Sequence, residues 1–165
     1  MTIYTIGHSH VSIERFLELL ALHRIDTLTD VRSQPHSRFA PQFNRQALQT
    51  SLARAGVAYR YLGDRLGGRP KDPQYRRPDG TIDYSLLAQS PLYREGLREL
   101  RHDAEKSRLA VMCAEADFHH CHRYWLITRS LVGEGVEVRH VLHTGALLGT
   151  GGEAFSPLPD QLRLF

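Results

Sequence analysis

The chain has 165 residues, 41% of them hydrophobic and 24% charged, which is the balance of a folded globular protein rather than a disordered one. Its length suits one domain with a sizeable core, and no apolar run approaches the ~20 residues that a membrane-spanning helix needs. The formal net charge of +3 is mild, but every Lys or Arg position except Lys71 and Lys106 is Arg; this fits phosphate or carboxylate recognition by guanidinium forks and equally fits a genome that enriches Arg everywhere.

Two cysteines, Cys113 and Cys121, exclude a disulfide scaffold and point to a reducing compartment. The opening "MTIYTIGHSH" has no basic region followed by an apolar stretch, so no secretion signal is expected. The expected location is cytoplasmic, without membrane association.

Strands and helices alternate along the chain. "TIYTI" (2–6) reads as a strand. Ser12 caps a helix with Ile13, Phe16, Leu17 and Leu20 on one face. "DTLTDV" (26–31) is a second strand. Asn44 opens a helix that carries Leu48 and Leu52 and stops at Gly56. "VAYRYL" (57–62) is a third strand, followed by a long polar insert over 63–83, which is either a functional lid or disordered. Ser90-Pro91 begins a helix with Tyr93, Leu97, Leu100 and Ala104 at helical spacing. "RLAVMC" (108–113) is the most strand-like run, a helix is expected from near His119 to Leu131, and "VEVRHVLH" (136–143) is the last strand. The pattern predicts one three-layer α/β domain over 1–143, with a mostly parallel sheet covered on both faces, and a flexible tail over 144–165.

In an open α/β sheet, ligands bind in the crevice beyond the carboxyl ends of the strands. The loops expected there carry nearly all the chemistry: Gly7-His8-Ser9, the run from Asp30 to Arg38, the run from Gly63 to Arg69, and "CAEADFHHCHR" (113–123). Those at the opposite rim, such as "HRI" and "RAG", are short and plain. Each feature also has a bland alternative. Asp30 and Glu115 could be caps or surface charges, His8 a hydrogen-bonded turn residue, Gly67-Gly68 an ordinary turn, and Arg32, Arg38, Arg65 and Arg69 solvated side chains. Four such Arg on two neighbouring loops nevertheless favour an anionic ligand.

"CAEADFHHCHR" allows two chemistries. Cys113, Cys121 and two of His119, His120 and His122 could bind zinc or iron, although the spacing matches no strong two-Cys, two-His pattern. The favoured reading makes Glu115 a general acid or base and lets Cys121, His122 and Arg123 open a helix whose free N–H groups face an anion. Cys113 could then act as a nucleophile, with Cys121 a buried structural thiol.

"TIYTIGHSH", "DVRSQPHSRF", "YLGDRLGGRP" and "CAEADFHHCHR", in this order and spacing, resemble the domain-of-unknown-function family numbered 488, over residues 2 to about 141. The resemblance implies a compact α/β domain with signature residues at Gly7, His8, Ser9, Asp30, Arg32, Pro35, Ser37, Arg38, Gly67, Gly68, Cys113, Glu115, Cys121, His122 and Arg123. It brings no activity with it. His119 and His120 fall at positions expected to vary, which discounts them as ligands.

The last five residues, "QLRLF", are similar to the Gln-Leu-x-Leu-Phe peptide by which bacterial replication and repair proteins dock on the DNA sliding clamp. Gln161, Leu162, Leu164 and Phe165 match its defined positions. A Gly-rich tether would present the peptide, and each large apolar side chain buried on a partner contributes ~1.5–3 kcal/mol, less the cost of ordering it. The alternative is a tail folded back on its own domain.

The expectation is a cytoplasmic DNA-processing or repair enzyme recruited by the sliding clamp, hydrolysing a glycosidic or a phosphodiester bond. Catalysis is assigned to Glu115 with Asp30, His8 and Cys113. The ligand is assigned to Ser9, Ser33, Ser37, Arg32, Arg38, Arg69, His122 and Arg123, with Gly67-Gly68 closing over it. A metal is not favoured; a phosphodiesterase version would gather Glu115, Asp117 and Asp30 around Mg²⁺. The alternatives are a non-catalytic DNA- or nucleotide-binding adaptor and an enzyme acting on free nucleotides.

Overall fold

A computed structural model describes residues 1–150. Strand β1 (Thr2–Gly7) leads to helix α1 (Ile13–Leu22), then β2 (Thr27–Asp30), α2 (Arg45–Arg54) and β3 (Ala58–Tyr61). Short helices α3 (Gly63–Leu66) and α4 (Tyr84–Leu87) precede the long α5 (Pro91–Lys106), and β4 (Leu109–Cys113), α6 (Arg129–Gly133), β5 (Glu137–Val141) and β6 (Leu147–Gly149) complete the order. The six strands lie in the order β3-β2-β4-β1-β5-β6. The first five are parallel and β6 is antiparallel to β5.

The alternation of β4 shows how the layers form. Leu109, Val111 and Cys113 join one core with Tyr93, Leu97 and Leu100 of α5 and with Leu126, Ile127 and Leu131. Ala110 and Met112 join the other, with Phe16, Leu19 and Leu20 of α1 and Leu48 and Leu52 of α2. Successive strand residues point to opposite faces, so one fully buried strand serves two cores, as parallel sheets require. The caps agree with the sequence at α1, where Ser12 Oγ accepts from Arg15 N at 3.1 Å, and at α5, where Ser90 Oγ accepts from Tyr93 N at 3.1 Å. Asn44 differs: its side chain accepts from Ser37 N at 2.7 Å instead of capping α2. With Arg45 N donating to Pro35 O at 3.0 Å, this ties the loop after β2 to the start of α2.

Three expectations change. The 63–83 insert is neither disordered nor a detached lid, because it carries α3 and a one-turn helix at Pro73–Tyr75 and packs Leu66, Ile82 and, partly, Tyr75 into the α5-side core. The single helix expected over 119–131 is divided once: a one-turn helix at Phe118–His120 is followed by a π-helical segment at Arg123–Thr128 that runs without a break into α6. The Thr128 hydroxyl donates to the Arg123 carbonyl at 2.7 Å within the wide turn. Finally, the sheet does not end at 143. The chain reverses at Gly145 (φ 93°), returns as β6, and Thr150 N donates to Val138 O at 3.0 Å. Three mostly exposed residues are too few to show an alternation in sequence. The remaining residues, 151–165, including Gln161, Leu162, Leu164 and Phe165, lie outside the described part.

Candidate active site at the carboxyl edge of the sheet

Strands β1, β4 and β2 end level, with Gly7 opposite Cys113 and Asp30 opposite Met112. The pairing continues past the strands: His8 N donates to Cys113 O at 3.0 Å, Ser9 N to Ala114 O at 2.8 Å, and Val31 N to Met112 O at 3.1 Å. A Cβ on Gly7 would collide with the Glu115 carbonyl, so only glycine lets the β1 and β4 loops approach this closely. The convergence of the loops is thus a property of the backbone.

On the β2 side Asp30, Arg32 and His8 are held by one another and by their neighbours. Asp30 is fully buried. Its Oδ1 accepts from Arg32 N at 3.1 Å and Nε at 2.9 Å, and its Oδ2 from Arg32 Nη2 at 2.8 Å and the Tyr59 hydroxyl at 2.7 Å. Burial and the Asp30 charge push the Tyr59 phenol upward, so it stays protonated and donates. Arg32 Nη2 also donates to Phe43 O at 2.8 Å, and Nη1 to His8 Nε2 at 3.2 Å. Because a carbonyl only accepts, the His8 Nδ1 contact to Ser9 O (2.8 Å) carries the proton, leaving Nε2 as the acceptor for Arg32. Burial lowers the His8 pKa to about 4 against the opposing Ser9 hydrogen bond, with Arg32 contributing in the same direction as burial. Asp30 and His8 therefore have no free lone pair with which to assist a reaction in this state; they hold Arg32.

The loop after β3 fits against this frame. Ser33 Oγ accepts from Arg69 N at 3.0 Å, and Tyr61 donates to the carbonyl of Arg32 at 3.0 Å. Gly67 lies against Ser33, and a Cβ on Gly68 would stand 2.6 Å from the His122 ring. The paired glycines are buried packing positions between loops, rather than a flap over a ligand. Arg69 extends from this loop with an exposed side chain.

The β4 loop is arranged differently. Glu115 is exposed, and its backbone carbonyl accepts from Arg123 Nη2 at 3.0 Å. Arg123 also donates to Ala116 O at 3.4 Å and is 1% exposed, so it holds this loop from behind and does not reach a ligand. The anion-binding helix start is also unavailable. The N–H groups of Arg123, Tyr124 and Trp125 bond back to Cys121, through its sulfur at 3.4 Å and its carbonyl at 3.0 and 3.3 Å. His122 Nε2 meets Val31 O at 3.2 Å, which requires the proton there. Burial, aided by Arg123 and Arg69 and opposed by the Val31 hydrogen bond, lowers the His122 pKa to about 4. Asp117 caps the one-turn helix and pairs with His119 and His120.

Two adjoining cavities occupy the edge. One, of about 240 Å³, is lined by Arg32, Ser33, Gly68, Arg69, Cys113, Glu115 and His122, among others. The second, of about 200 Å³, shares Arg32 and Glu115 and adds His8, Ser9 and Ser37. Asp30, Gly67, Arg38 and Arg123 line neither; Arg38 is exposed, with its guanidinium 5.0 Å over the Phe39 ring. Gln34 and His36 line both cavities, and His10 and Phe39 line the second. None of the four was named as a site residue in the sequence analysis: Gln34 and His36 lie within the loop from Asp30 to Arg38, and His10 and Phe39 directly follow the loops named there. Among the described residues, no three His, Cys, Asp or Glu side chains gather as a metal cage. The set of Glu115, Asp117 and Asp30 does not assemble, since Asp30 is filled by Arg32 and Tyr59.

A family model described as "Domain of unknown function DUF488" matches residues 12–129. The chain belongs to this family. The match takes in the motifs around Arg32, Gly67-Gly68 and Glu115 and leaves the Gly7-His8-Ser9 turn of this DUF488 member outside it. Comparison with curated proteins and with solved structures found no match. Among the described residues, no helix is long and apolar enough to cross a membrane.

Chemically, the edge offers two cations, Arg32 and Arg69, and one carboxylate, with the buried imidazoles of His8 and His122 in its walls beside His10, His36 and His120. Such a cavity suits an anionic ligand presented to a single carboxylate.

Proposed function

We propose that the protein is a hydrolase acting on a nucleotide or nucleic-acid ligand, with Arg32 and Arg69 binding phosphate and Glu115 as the general acid–base. One observation carries this reading. Glu115 is the only acidic side chain lining both cavities, and its carboxylate bonds to no described residue. In a site where Asp30, His8 and His122 are all engaged, it is the carboxylate left free among the described residues to move a proton.

The glycosidic version fits these residues better than the phosphodiester version, which needed a carboxylate cluster for Mg²⁺. A water would lose a proton to Glu115 and bond to the anomeric carbon. The carbon–nitrogen bond breaks with its electron pair going to the base, which takes up the proton. A base within a duplex would first have to be extruded. The adaptor alternative draws on the same saturation of Asp30 and His8, which leaves few groups for turnover.

Glu115→Gln separates these readings. In assays of base release and strand cleavage on oligonucleotides, and of base release on free nucleotides, turnover should fall about 10²–10⁴-fold while ligand binding persists. Binding by the parent protein with no turnover on any of these, and no change on substitution, would leave only the adaptor.

Recruitment by the sliding clamp rests on Gln161, Leu162, Leu164 and Phe165. Deleting 161–165 should leave the domain folded and abolish co-elution with purified clamp; persistent co-elution would remove this part of the reading.

A further inference from the structure

Two sulfur atoms in the floor of the cleft have no part in that chemistry. Cys113 ends β4, and Cys121 follows the one-turn helix at Phe118–His120. Their Sγ atoms are 2.7 Å apart, and both residues line the 240 Å³ cavity. A disulfide needs about 2.05 Å, so bond formation requires only a small side-chain adjustment. The intervening loop is anchored at several points. Phe118 stacks on His140 with ring centroids 3.9 Å apart, Trp125 Nε1 donates to His119 O at 2.6 Å, and Cys121 N donates to Phe118 O at 3.2 Å. The sulfurs are therefore brought together by the fold and not by a chance rotamer.

The surroundings distinguish the two thiols. Arg123 is buried among neutral groups, forms no ion pair among the described residues, and leaves its Nε without a partner. Its Nη2 and the Cys113 sulfur both contact the Glu115 carbonyl, at 3.0 and 3.8 Å, which sets that sulfur close to the guanidinium. We propose that Cys113 and Cys121 form a reversible redox couple opening onto the cleft, with Cys113 the peroxide-reactive thiolate and Cys121 the resolving thiol.

The Cys113 thiolate attacks the terminal oxygen of a hydroperoxide. A sulfur–oxygen bond forms, the oxygen–oxygen bond breaks, and the departing alkoxide or hydroxide takes a proton from solvent. The Cys121 sulfur then displaces the hydroxyl from the Cys113 sulfenic acid, and its proton leaves with that hydroxyl as water. The two sulfurs together lose two electrons and the peroxide gains them. A thiol reductant returns the pair to the dithiol by exchange. The ionisation of the pair runs in the direction this asymmetry needs. Burial pushes the Cys113 thiol up, but the hydrogen bond from Cys121 and the charge of Arg123 outweigh it and bring it to about 7; burial and the neighbouring Cys113 push Cys121 well up.

The test uses the full chain, reduced and then treated with one equivalent of hydrogen peroxide. Intact mass should fall by two hydrogens, with peptide mapping joining Cys113 to Cys121 and dithiothreitol restoring the original mass. Cys121→Ser should accumulate a dimedone-reactive sulfenic acid on Cys113. Cys113→Ser should slow oxidation at least about tenfold, since the more protonated thiol remains. The parent rate should fall as pH drops below about 7. Should either serine variant fail to fold, dimedone trapping in the parent at early times still identifies the attacked sulfur. Unchanged mass, trapping on Cys121 first, or only intermolecular disulfides would overturn the proposal.

Discussion

The two sides of the cleft are built on opposite terms. On the β2 side, Asp30, Arg32, His8 and Tyr59 form a buried network in which both carboxylate oxygens and both imidazole nitrogens are used. On the β4 side, among the described residues, Glu115 is unbonded at its carboxylate and Arg123 lacks a counter-ion, although the backbone there is as firmly held. A saturated polar network rigidifies a site, whereas unpaired groups are where a ligand or a reaction can be accommodated. The contrast assigns a firmly held cation, Arg32, to one side and the acid–base group to the other.

Asp30→Ala should have the largest effect. It strands the buried Arg32 guanidinium, and removing one partner of a buried ion pair costs about 3–5 kcal/mol. Chemical denaturation should register a loss of that size. Glu115→Gln should by contrast shift stability by no more than about 0.5 kcal/mol, as for an ordinary surface change. Comparable losses in both variants would erase the distinction.

Acid titration sharpens the same point. The folded-state pKa values of His8 and His122 are lowered to about 4 and that of His140 to about 3, each from an ordinary 6.5 and each mainly by burial. Between about pH 4 and 6.5 the unfolded chain binds the protons and the folded one does not, so stability falls as pH falls through that window. Each histidine contributes a slope approaching ~1.4 kcal/mol per pH unit. Urea midpoints measured from pH 7 to 4.5 should decline, and His8→Gln should reduce the slope. A flat profile would mean that these rings are not held neutral.

The smallest expected effect separates two arginines that look alike in sequence. Arg69→Ala should weaken phosphate-ligand binding and lower its salt dependence, while Arg38→Ala should leave both nearly unchanged, because Arg38 lines neither cavity. Equal losses in a binding titration over a salt series would show that the cleft extends to Arg38.

Much of the fold was legible in the chain because its signals are local. The helical stripe of Phe16 and Leu20, the Ser12 and Ser90 caps, and the apolar run of β4 each act within a few residues, and the alternation of strands with helices requires a parallel sheet. The four loops that meet at the carboxyl edge follow from that topology, which is why Arg32, Arg69, Cys113 and Glu115 could be named together. The lost signals were those that short segments cannot carry, such as the three residues of β6 and the broken turns between Phe118 and Thr128.

The order of strands and helices along the chain places these residues at the edge of the sheet. Which of them keep an unoccupied polar group depends on the packing of the layers. Asp30 and Glu115 are both carboxylates at strand ends, yet one is filled by Arg32 and Tyr59 and the other is open. His122 takes its partner, Val31, from 91 positions away, and His140 takes Thr5 from 135. A hydrogen bond is settled by proximity in space, and proximity between residues so far apart exists only once the layers have packed.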